Sequence, residues 1–252
     1  MKSSISIPRR LLLSVLFLNF GCSEKEEIIR EEMTYAKPDP SNYASRMALK
    51  DAPTLRFVDR TQESGIQFQH ENGAAGQKRM PETMGSGCAL FDYDGDYDLD
   101  LFLINSKPWD DSVDSRSKFY SNNGDGTFDD VSEIVGLDID SYAMGATVAD
   151  YDSDGDLDVY VTALGPNILL RNDDGHFVDV SDQANVEGES WIDSKGNESP
   201  EWSTGAGCAD VDGDGWLDLL VTNYVRWSSH TDIYTSLDGK NKSYATPQQY
   251  QG

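Results

Sequence analysis

Aspartates recur at fixed spacing in three segments of this chain, at positions 1, 3, 5 and 9 of a nine-residue loop. A tight turn brings side chains at such positions to one point, and hard carboxylate oxygens in that number favour calcium. We therefore expect about three calcium ions. The predicted side-chain ligands are Asp92, Asp94, Asp96 and Asp100 in the first loop, Asp150, Asp152, Asp154 and Asp158 in the second, and Asp210, Asp212, Asp214 and Asp218 in the third.

Two further loop positions have predicted roles. At position 7 a backbone carbonyl would add a ligand, offered by Asp156 in the second loop and by Trp216 in the third. At position 6, Gly155 and Gly215 supply the positive φ of a sharp turn. The first loop has Tyr97 at position 6, so its turn must differ from the others or be strained.

Two other interpretations begin from the same aspartate spacing. An EF-hand requires a glutamate at loop position 12, where this chain has Leu103, Val161 and Val221 in β-type runs, so that interpretation is excluded. A polar turn without an ion stays open, because Asp and Gly are favoured in turns for local reasons. Against it, the crowded carboxylates of each loop repel one another strongly unless a cation neutralises them.

Short apolar runs surround each acidic loop. A glycine lies five residues before the first aspartate, at Gly87, Gly145 and Gly205, and a β-type run follows each loop. Such runs bounded by turn residues indicate β-hairpins. A second motif is repeated outside the loops, with the sequences Phe57-Val-Asp-Arg-Thr61, Phe128-Asp-Asp-Val-Ser132 and Phe177-Val-Asp-Val-Ser181.

The repeat predicts the fold class. The copies begin 58 and 60 residues apart, and such a period, with several short strands per unit, is typical of β-propeller blades with insertions. One unit cannot bury both faces of its sheet alone, whereas stacked neighbours can. We predict an all-β chain that forms a partial β-propeller.

Composition excludes some partners. The chain has 45 Asp and Glu against 20 Lys and Arg, a formal net charge of −25. This charge disfavours nucleic acid and anionic membrane surfaces and favours cations.

The N-terminus has the pattern of an export signal. Lys2, Arg9 and Arg10 precede an apolar run and then Gly21 and Cys22, which is typical of a secretory signal peptide. The Gly-Cys pair resembles a bacterial lipoprotein cleavage site, at which Cys22 would be lipidated, although simple secretion stays open. We therefore expect an exported protein, either in the bacterial cell envelope as an outer-membrane lipoprotein or periplasmic protein, or secreted. Its only membrane contact would be the N-terminal lipid.

Three domains are predicted along the chain. Residues 1–22 form the signal peptide, residues 23–53 a polar tether, and residues 54–252 the repeats. Cys88 and Cys208 lie in small-residue runs that are typical of buried strands, where a free thiol behaves as a small hydrophobe. A disulfide between them stays open, but cysteine usage shows no disulfide scaffold.

In its acidic loops, its second motif and its glycine turns, the chain resembles FG-GAP/VCBS repeat proteins, the calcium-bearing propellers related to integrin α-subunit heads. A closer resemblance is to bacterial relatives of cartilage acidic protein, which usually end in an ASPIC/UnbV domain. It lies in the segments that begin at Phe57, Pro81 and Tyr244. The resemblance implies about seven blades, of which this sequence holds about three. Accordingly, the chain is expected to be a fragment or to complete its sheet with another chain.

Two classes of function follow. The first is a binding or adhesion module whose insertions contact an extracellular protein or glycan. The insertions carry Trp109, Trp191, Trp202 and Trp227, which either anchor long loops or lie exposed at a recognition surface. The alternative is part of a calcium-dependent enzyme that degrades extracellular polysaccharide. The sequence favours a non-enzyme, because no catalytic motif is present and the only histidines, His70, His176 and His230, stand alone.

Overall fold

The computed structural model describes residues 56–110 and 112–250. Contacts divide the chain into two units, Met1–Phe57 and Val58–Gly252, and almost all of the first lies outside the described residues. The predicted signal peptide, the lipidation site at Cys22 and the polar tether also lie outside them. In the described part, no helix combines the length and the apolar character needed to cross a membrane.

Two four-stranded antiparallel sheets form most of the second unit, and each follows chain order from one edge to the other. The first sheet consists of β1 (Cys88–Phe91), β2 (Asp100–Leu103), β3 (Lys118–Asn122) and β4 (Phe128–Asp130). The second consists of β5 (Ala143–Ala149), β6 (Asp158–Ala163), β7 (Ile168–Asp173) and β8 (His176–Asp179). Their registers correspond, since Phe102 pairs with Phe119 and Tyr160 with Leu169.

Two smaller sheets follow. β9 (Ser190–Ile192) pairs with β10 (Glu198–Pro200), and β11 (Ser203–Ala209) pairs with β12 (Asp218–Asn223), each antiparallel. Within residues 56–110 and 112–250, helix is confined to the single α-turns α1 (Ser132–Val135) and α2 (Ser181–Ala184) and the 3₁₀ turns Met80–Thr83 and Pro247–Gln249. The all-β prediction is therefore confirmed, and β1, β5 and β11 each open a copy of the repeat.

The opening strands of the three copies lie side by side. The Gly87 N–H donates to the Met144 carbonyl at 2.8 Å, and the Thr147 hydroxyl donates to the Ala206 carbonyl at 2.7 Å. A Cβ on Gly87 would lie 3.3 Å from the Cα of Gly145, a tight contact that explains the glycine at position 87. Sheets that stack through their first strands are consistent with the blades of a partial β-propeller.

The main core fills the space between the first and second sheets. Phe91 and Phe119 come from the first sheet, and Phe177 of β8 contacts both, with ring centroids at 6.3 and 6.4 Å. Leu170 of β7 belongs to the same cluster. The outer hairpin of the second sheet, β7–β8, thus supplies side chains that pack in the interface with the first sheet.

The tryptophans of the insertions form a second cluster. Trp202 and Trp227 are buried, and Trp109 stacks on Tyr142 with the ring centroids 4.7 Å apart. These three residues therefore anchor the long connections instead of forming an open recognition surface. Trp191, in β9, is half-buried and donates its indole N–H to the Pro200 carbonyl.

Some details differ from the sequence prediction. Cys88 is exposed, because it lies with Leu90 on the face of the first sheet against which no described sheet packs. Cys208 is half-buried, and both thiols are free. The copies of the second motif that begin at Phe128 and Phe177 form β4 and β8, and an α-turn that was not predicted follows each strand. The copy that begins at Phe57 forms no strand.

Candidate metal centres

The three acidic loops occupy equivalent places in the fold. Residues 92–100 join β1 to β2, residues 150–158 join β5 to β6, and residues 210–218 join β11 to β12. Each loop therefore closes the antiparallel hairpin made by the first two strands of its sheet. Flanking strands, and not helices, position these loops, in agreement with the exclusion of an EF-hand.

The first aspartate of each loop holds the turn together by accepting backbone N–H groups. In the first loop the Asp92 carboxylate accepts from Gly95 at 2.8 Å and from Tyr97 at 2.9 Å. Asp150 accepts from Asp154 and Gly155, both at 3.1 Å. In the third loop Asp210 accepts from Gly213, Asp214 and Gly215 at 2.7, 3.1 and 3.0 Å. This bonding curls the loop around one carboxylate.

Each turn uses a left-handed backbone at two positions. At position 6, Gly155 and Gly215 have φ values of 103° and 92°, as predicted, and Tyr97 has a φ of 73°. The first loop therefore adopts the same turn as the others with a strained tyrosine. Position 4 also has positive φ, at Gly95, Ser153 and Gly213. This requirement was not predicted from the sequence, although glycine occupies position 4 in two of the three copies.

The turns bring three carboxylates together in each loop, with one oxygen from each lying within 4.8 Å of the others. Nine of the twelve predicted side-chain ligands belong to these groups. They are Asp92, Asp94 and Asp96 in the first loop, Asp150, Asp152 and Asp158 in the second, and Asp210, Asp212 and Asp218 in the third.

The other predicted ligands serve the loop backbone or the strands. Asp154 and Asp214 accept the N–H groups of Asp156 and Trp216, at 3.0 and 2.9 Å. Asp156 accepts the Asp174 N–H at 3.1 Å through its own carboxylate. The position 7 carbonyls of Asp156 and Trp216 stay a prediction.

The last aspartate of a loop, at position 9, is tied to the neighbouring strands. Buried Asp158 accepts the backbone N–H groups of Tyr151 and Asn172, both at 2.9 Å. Asp100 has the same environment, with donors Tyr93 at 3.2 Å and Asn122 at 2.9 Å.

Sequence reasoning missed the two asparagines that donate to these aspartates. Asn122 is the last residue of β3 and Asn172 the last but one of β7, and a glycine turn follows each strand. The repeat of asparagine at that place was the available signal. The third strand of each four-stranded sheet thus helps to hold the acidic loop of that sheet.

Crowding and burial disfavour the charged form of some of these carboxyls. Burial raises the pKa of Asp158 to about 6, although the Asn172 and Tyr151 N–H groups oppose the rise. Burial also raises the pKa of Asp100 and, together with the charges of Asp154 and Asp150, that of Asp152. A cation at this point would remove the repulsion and favour ionisation.

The second loop offers the best fit to a metal ion. The Oδ1 atom of Asp152 is buried and accepts no hydrogen bond from the described residues. A buried carboxylate oxygen without a donor is costly unless a cation lies against it. The converging atoms are all carboxylate oxygens, which suits a hard cation such as calcium better than zinc or a softer metal.

Sequence comparison agrees with the repeat seen in the structure. A family model described as FG-GAP-like repeat matches residues 92–161 and 153–221, which together cover just over half of the chain. Each match begins in or beside one acidic loop and extends past the next. No curated protein matches the chain. The repeated sheets, the acidic loops in equivalent turns and this match together show that the chain belongs to the FG-GAP-like repeat family.

Proposed function

We propose that this chain is a calcium-binding β-propeller module, exported to the cell envelope, that binds an extracellular protein or glycan. The observation that carries the calcium part is the convergence of three aspartates in every loop, with the Asp152 Oδ1 atom buried and without a donor. The binding part is supported by family membership, because FG-GAP-like repeats form propeller modules used in binding or adhesion. Calcium would cross-link the two inner strands of each blade and make the loops rigid.

The calcium part is tested by thermal melting of the purified chain in calcium, in magnesium and in chelator. A ligand at one hundred times its Kd stabilises the folded state by about 2.7 kcal/mol, or roughly 5–10 °C for a domain of this size. We expect a rise of that order in calcium and less in magnesium, which demands a stricter octahedral geometry. Identical melting curves in calcium and chelator would refute the calcium site.

A pair of variants localises the effect. Asp152→Asn keeps the shape of the side chain but removes the charge of the buried ligand, so the calcium-dependent rise in Tm should shrink. Asp129→Asn removes one charge from the exposed strand β4, outside the acidic loops, and should keep the full calcium response. Equal behaviour of the two variants would indicate general charge neutralisation and contradict a defined site.

The binding surface is proposed to lie on the insertions. Ile192 in the β9–β10 hairpin is exposed, and so are Tyr234 and Leu237 in the segment that follows β12. Exposed apolar residues on long connections suit recognition of a protein or a glycan. A glycan array tests for a glycan ligand, and a pull-down of extracellular proteins tests for a protein ligand. Each assay is repeated with Ile192→Asp and Leu237→Asp, which should weaken binding if the insertions form the surface. A lack of any partner in both assays would reject the binding role.

Export is proposed from the N-terminal sequence. Labelling of cells with radioactive palmitate, comparing the natural chain with Cys22→Ser, tests lipidation, because only a lipidated Cys22 would incorporate the label. Turnover of an extracellular polysaccharide by the calcium-loaded chain would instead favour the enzyme alternative.

A further inference from the structure

The β7–β8 turn, residues 172–175, is bonded to the second acidic loop at two points. The backbone N–H of Asn172 donates to the Asp158 carboxylate at 2.9 Å, and the backbone N–H of Asp174 donates to the Asp156 carboxylate at 3.1 Å. Asp158 is one of the three converging aspartates of that loop. A change in the order of the second loop is therefore felt directly by this turn.

The same turn also contacts the first acidic loop. The side chain of Asn172 donates from Nδ2 to the Tyr93 carbonyl at 2.9 Å. A Cβ on Gly175 would lie 3.6 Å from the Tyr93 ring and 3.8 Å from the Cβ of Asp94, so the turn passes close to both residues. Tyr93 stands between Asp92 and Asp94, two of the converging aspartates of the first loop. One turn of the second sheet thus supports two candidate metal centres.

Hydrogen bonds fix the geometry of this turn. Asn172 is fully buried, and its Oδ1 atom accepts the Gly175 N–H at 2.7 Å. Its Nδ2 atom also donates to the Leu157 carbonyl at 3.3 Å, immediately before Asp158. A buried polar group is costly when it loses its partner, so the turn resists distortion. A displacement at one loop is consequently passed to the other loop instead of being absorbed between them.

The corresponding asparagine of the first sheet provides an internal comparison. The backbone N–H of Asn122 donates to Asp100 at 2.9 Å, just as Asn172 donates to its own loop. The Asn122 side chain donates to the Leu99 carbonyl and accepts the Gly124 N–H, both at 3.0 Å. These partners all belong to the first copy of the repeat. Among the described residues, the bond from a third strand to the loop of another sheet is therefore specific to Asn172.

We propose that Asn172 couples the metal centres of the first and second loops, so that a calcium ion in one loop raises the affinity of the other. An ion in either loop fixes its carboxylates, and the shared turn transmits this order to the neighbouring loop. The second ion then binds a loop that has less conformational entropy to lose, which gives positive cooperativity. Asn172 acts as a positioning residue, and the proposal rests on the calcium function proposed above.

The coupling is measured by calorimetric calcium titration of the full chain, in which Asp212→Asn disables the third loop. In this two-loop protein, a further Asp94→Asn leaves the second loop alone, and a further Asp152→Asn leaves the first loop alone. The coupling factor is the product of the two association constants of the two-loop protein divided by the product of the constants of the two one-loop variants. We expect a factor of about five or more, the lower end of common allosteric coupling.

Two asparagine variants assign the coupling to a residue, each measured with the same set of loop variants. Asn172→Ala removes the bond to the Tyr93 carbonyl but keeps the backbone N–H that bonds Asp158, so the coupling factor should fall to roughly one. A general loss of stability affects the one-loop and two-loop proteins alike and cancels in this ratio. Asn122→Ala is the matched control, because it removes the equivalent side chain within one sheet, and it should keep the coupling factor of the two-loop protein.

The possible results separate this proposal from the calcium function itself. Calcium binding at both loops with a coupling factor of roughly one would overturn the coupling and leave the calcium function in place. No calcium binding at either loop would refute both. An equal coupling factor with and without the Asn172 side chain would overturn the role of Asn172. The first two results are obtained without altering Asn172, so they do not depend on the folding of that variant.

Discussion

Individual residues in the acidic loops serve both the turn and the metal centre. Tyr97 is the clearest case, because it has a left-handed backbone at a position where the other loops have glycine. Its side chain is 94% exposed, so little packing offsets the strain. A non-glycine residue in this region costs roughly 1–2 kcal/mol.

Replacing Tyr97 with glycine should therefore stabilise the fold. Part of the gain is lost because glycine has more freedom in the unfolded chain, so we expect an increase of about 0.5–1 kcal/mol in the free energy of unfolding, measured by urea denaturation. Tyr97→Ala is the control, since it removes the ring but keeps the Cβ that causes the strain. Equal stabilisation by the two variants would show that the ring, and not the backbone, is responsible.

The raised pKa of Asp158 predicts pH-dependent calcium binding. Calcium binds the ionised carboxylate, and a proton competes with it below the pKa of about 6. Affinity at the second loop should be about tenfold lower at pH 5 than at pH 7.5, as measured by calorimetric titration. Asp158→Asn should bind more weakly and lose this pH dependence. A constant affinity between these pH values would contradict the assignment of Asp158 as a ligand.

The same pKa affects stability in chelator. The folded pKa of Asp158 lies above the ordinary value of 3.8, so the folded state binds more protons than the unfolded state between these two values. The contribution of Asp158 to stability without metal therefore falls as pH rises from about 4 to about 6. Calcium should reverse this trend at the second loop, because it favours the ionised form.

Among the elements, the third strands connect the sheets to the acidic loops. Asn172 in β7 is fully buried, donates through its side chain to the Tyr93 carbonyl, and accepts the Gly175 N–H at 2.7 Å. Its backbone N–H also bonds Asp158. One residue thus joins the second sheet, its outer turn and the loop of the first sheet.

Loss of this side chain should weaken the interface between the two sheets. Asn172→Ala leaves the part-buried Tyr93 carbonyl and the buried Gly175 N–H without these partners, at a cost of about 2 kcal/mol in the free energy of unfolding. Asn123→Ala, in the exposed part of the glycine turn, should cost less than about 0.5 kcal/mol. Similar values for the two variants in chemical denaturation would reject the proposed joint role of Asn172.

For the whole molecule, charge opposes compactness. A formal net charge of −25 repels itself in the folded state, and the acidic loops concentrate part of that charge at one end of the inner hairpins. Counter-ions reduce such repulsion, either by general screening or by binding at a defined point.

Salt should consequently stabilise the protein when calcium is removed. In chelator, Tm is expected to rise as NaCl increases from about 0.01 M to about 1 M, because the Debye length falls from about 30 Å to about 3 Å. The rise should be smaller in saturating calcium, where bound ions already neutralise the loops. A Tm that falls with salt in chelator would show that self-repulsion does not limit stability.

Much of this protein follows from its sequence alone. Aspartate spacing, β-type runs and the repeated glycines determine the hairpins, the turns and the repeat, because these depend on neighbours within one copy. The position 6 glycines and the strands after each loop were predicted for that reason.

Only the tertiary structure decided which groups meet. Asn172 reaches Asp158 and Tyr93, Trp202 and Trp227 become core residues, and Cys88 remains exposed because its sheet face has no described partner. These outcomes depend on contacts between separate strands and sheets, whose distances and burial are set by packing in three dimensions.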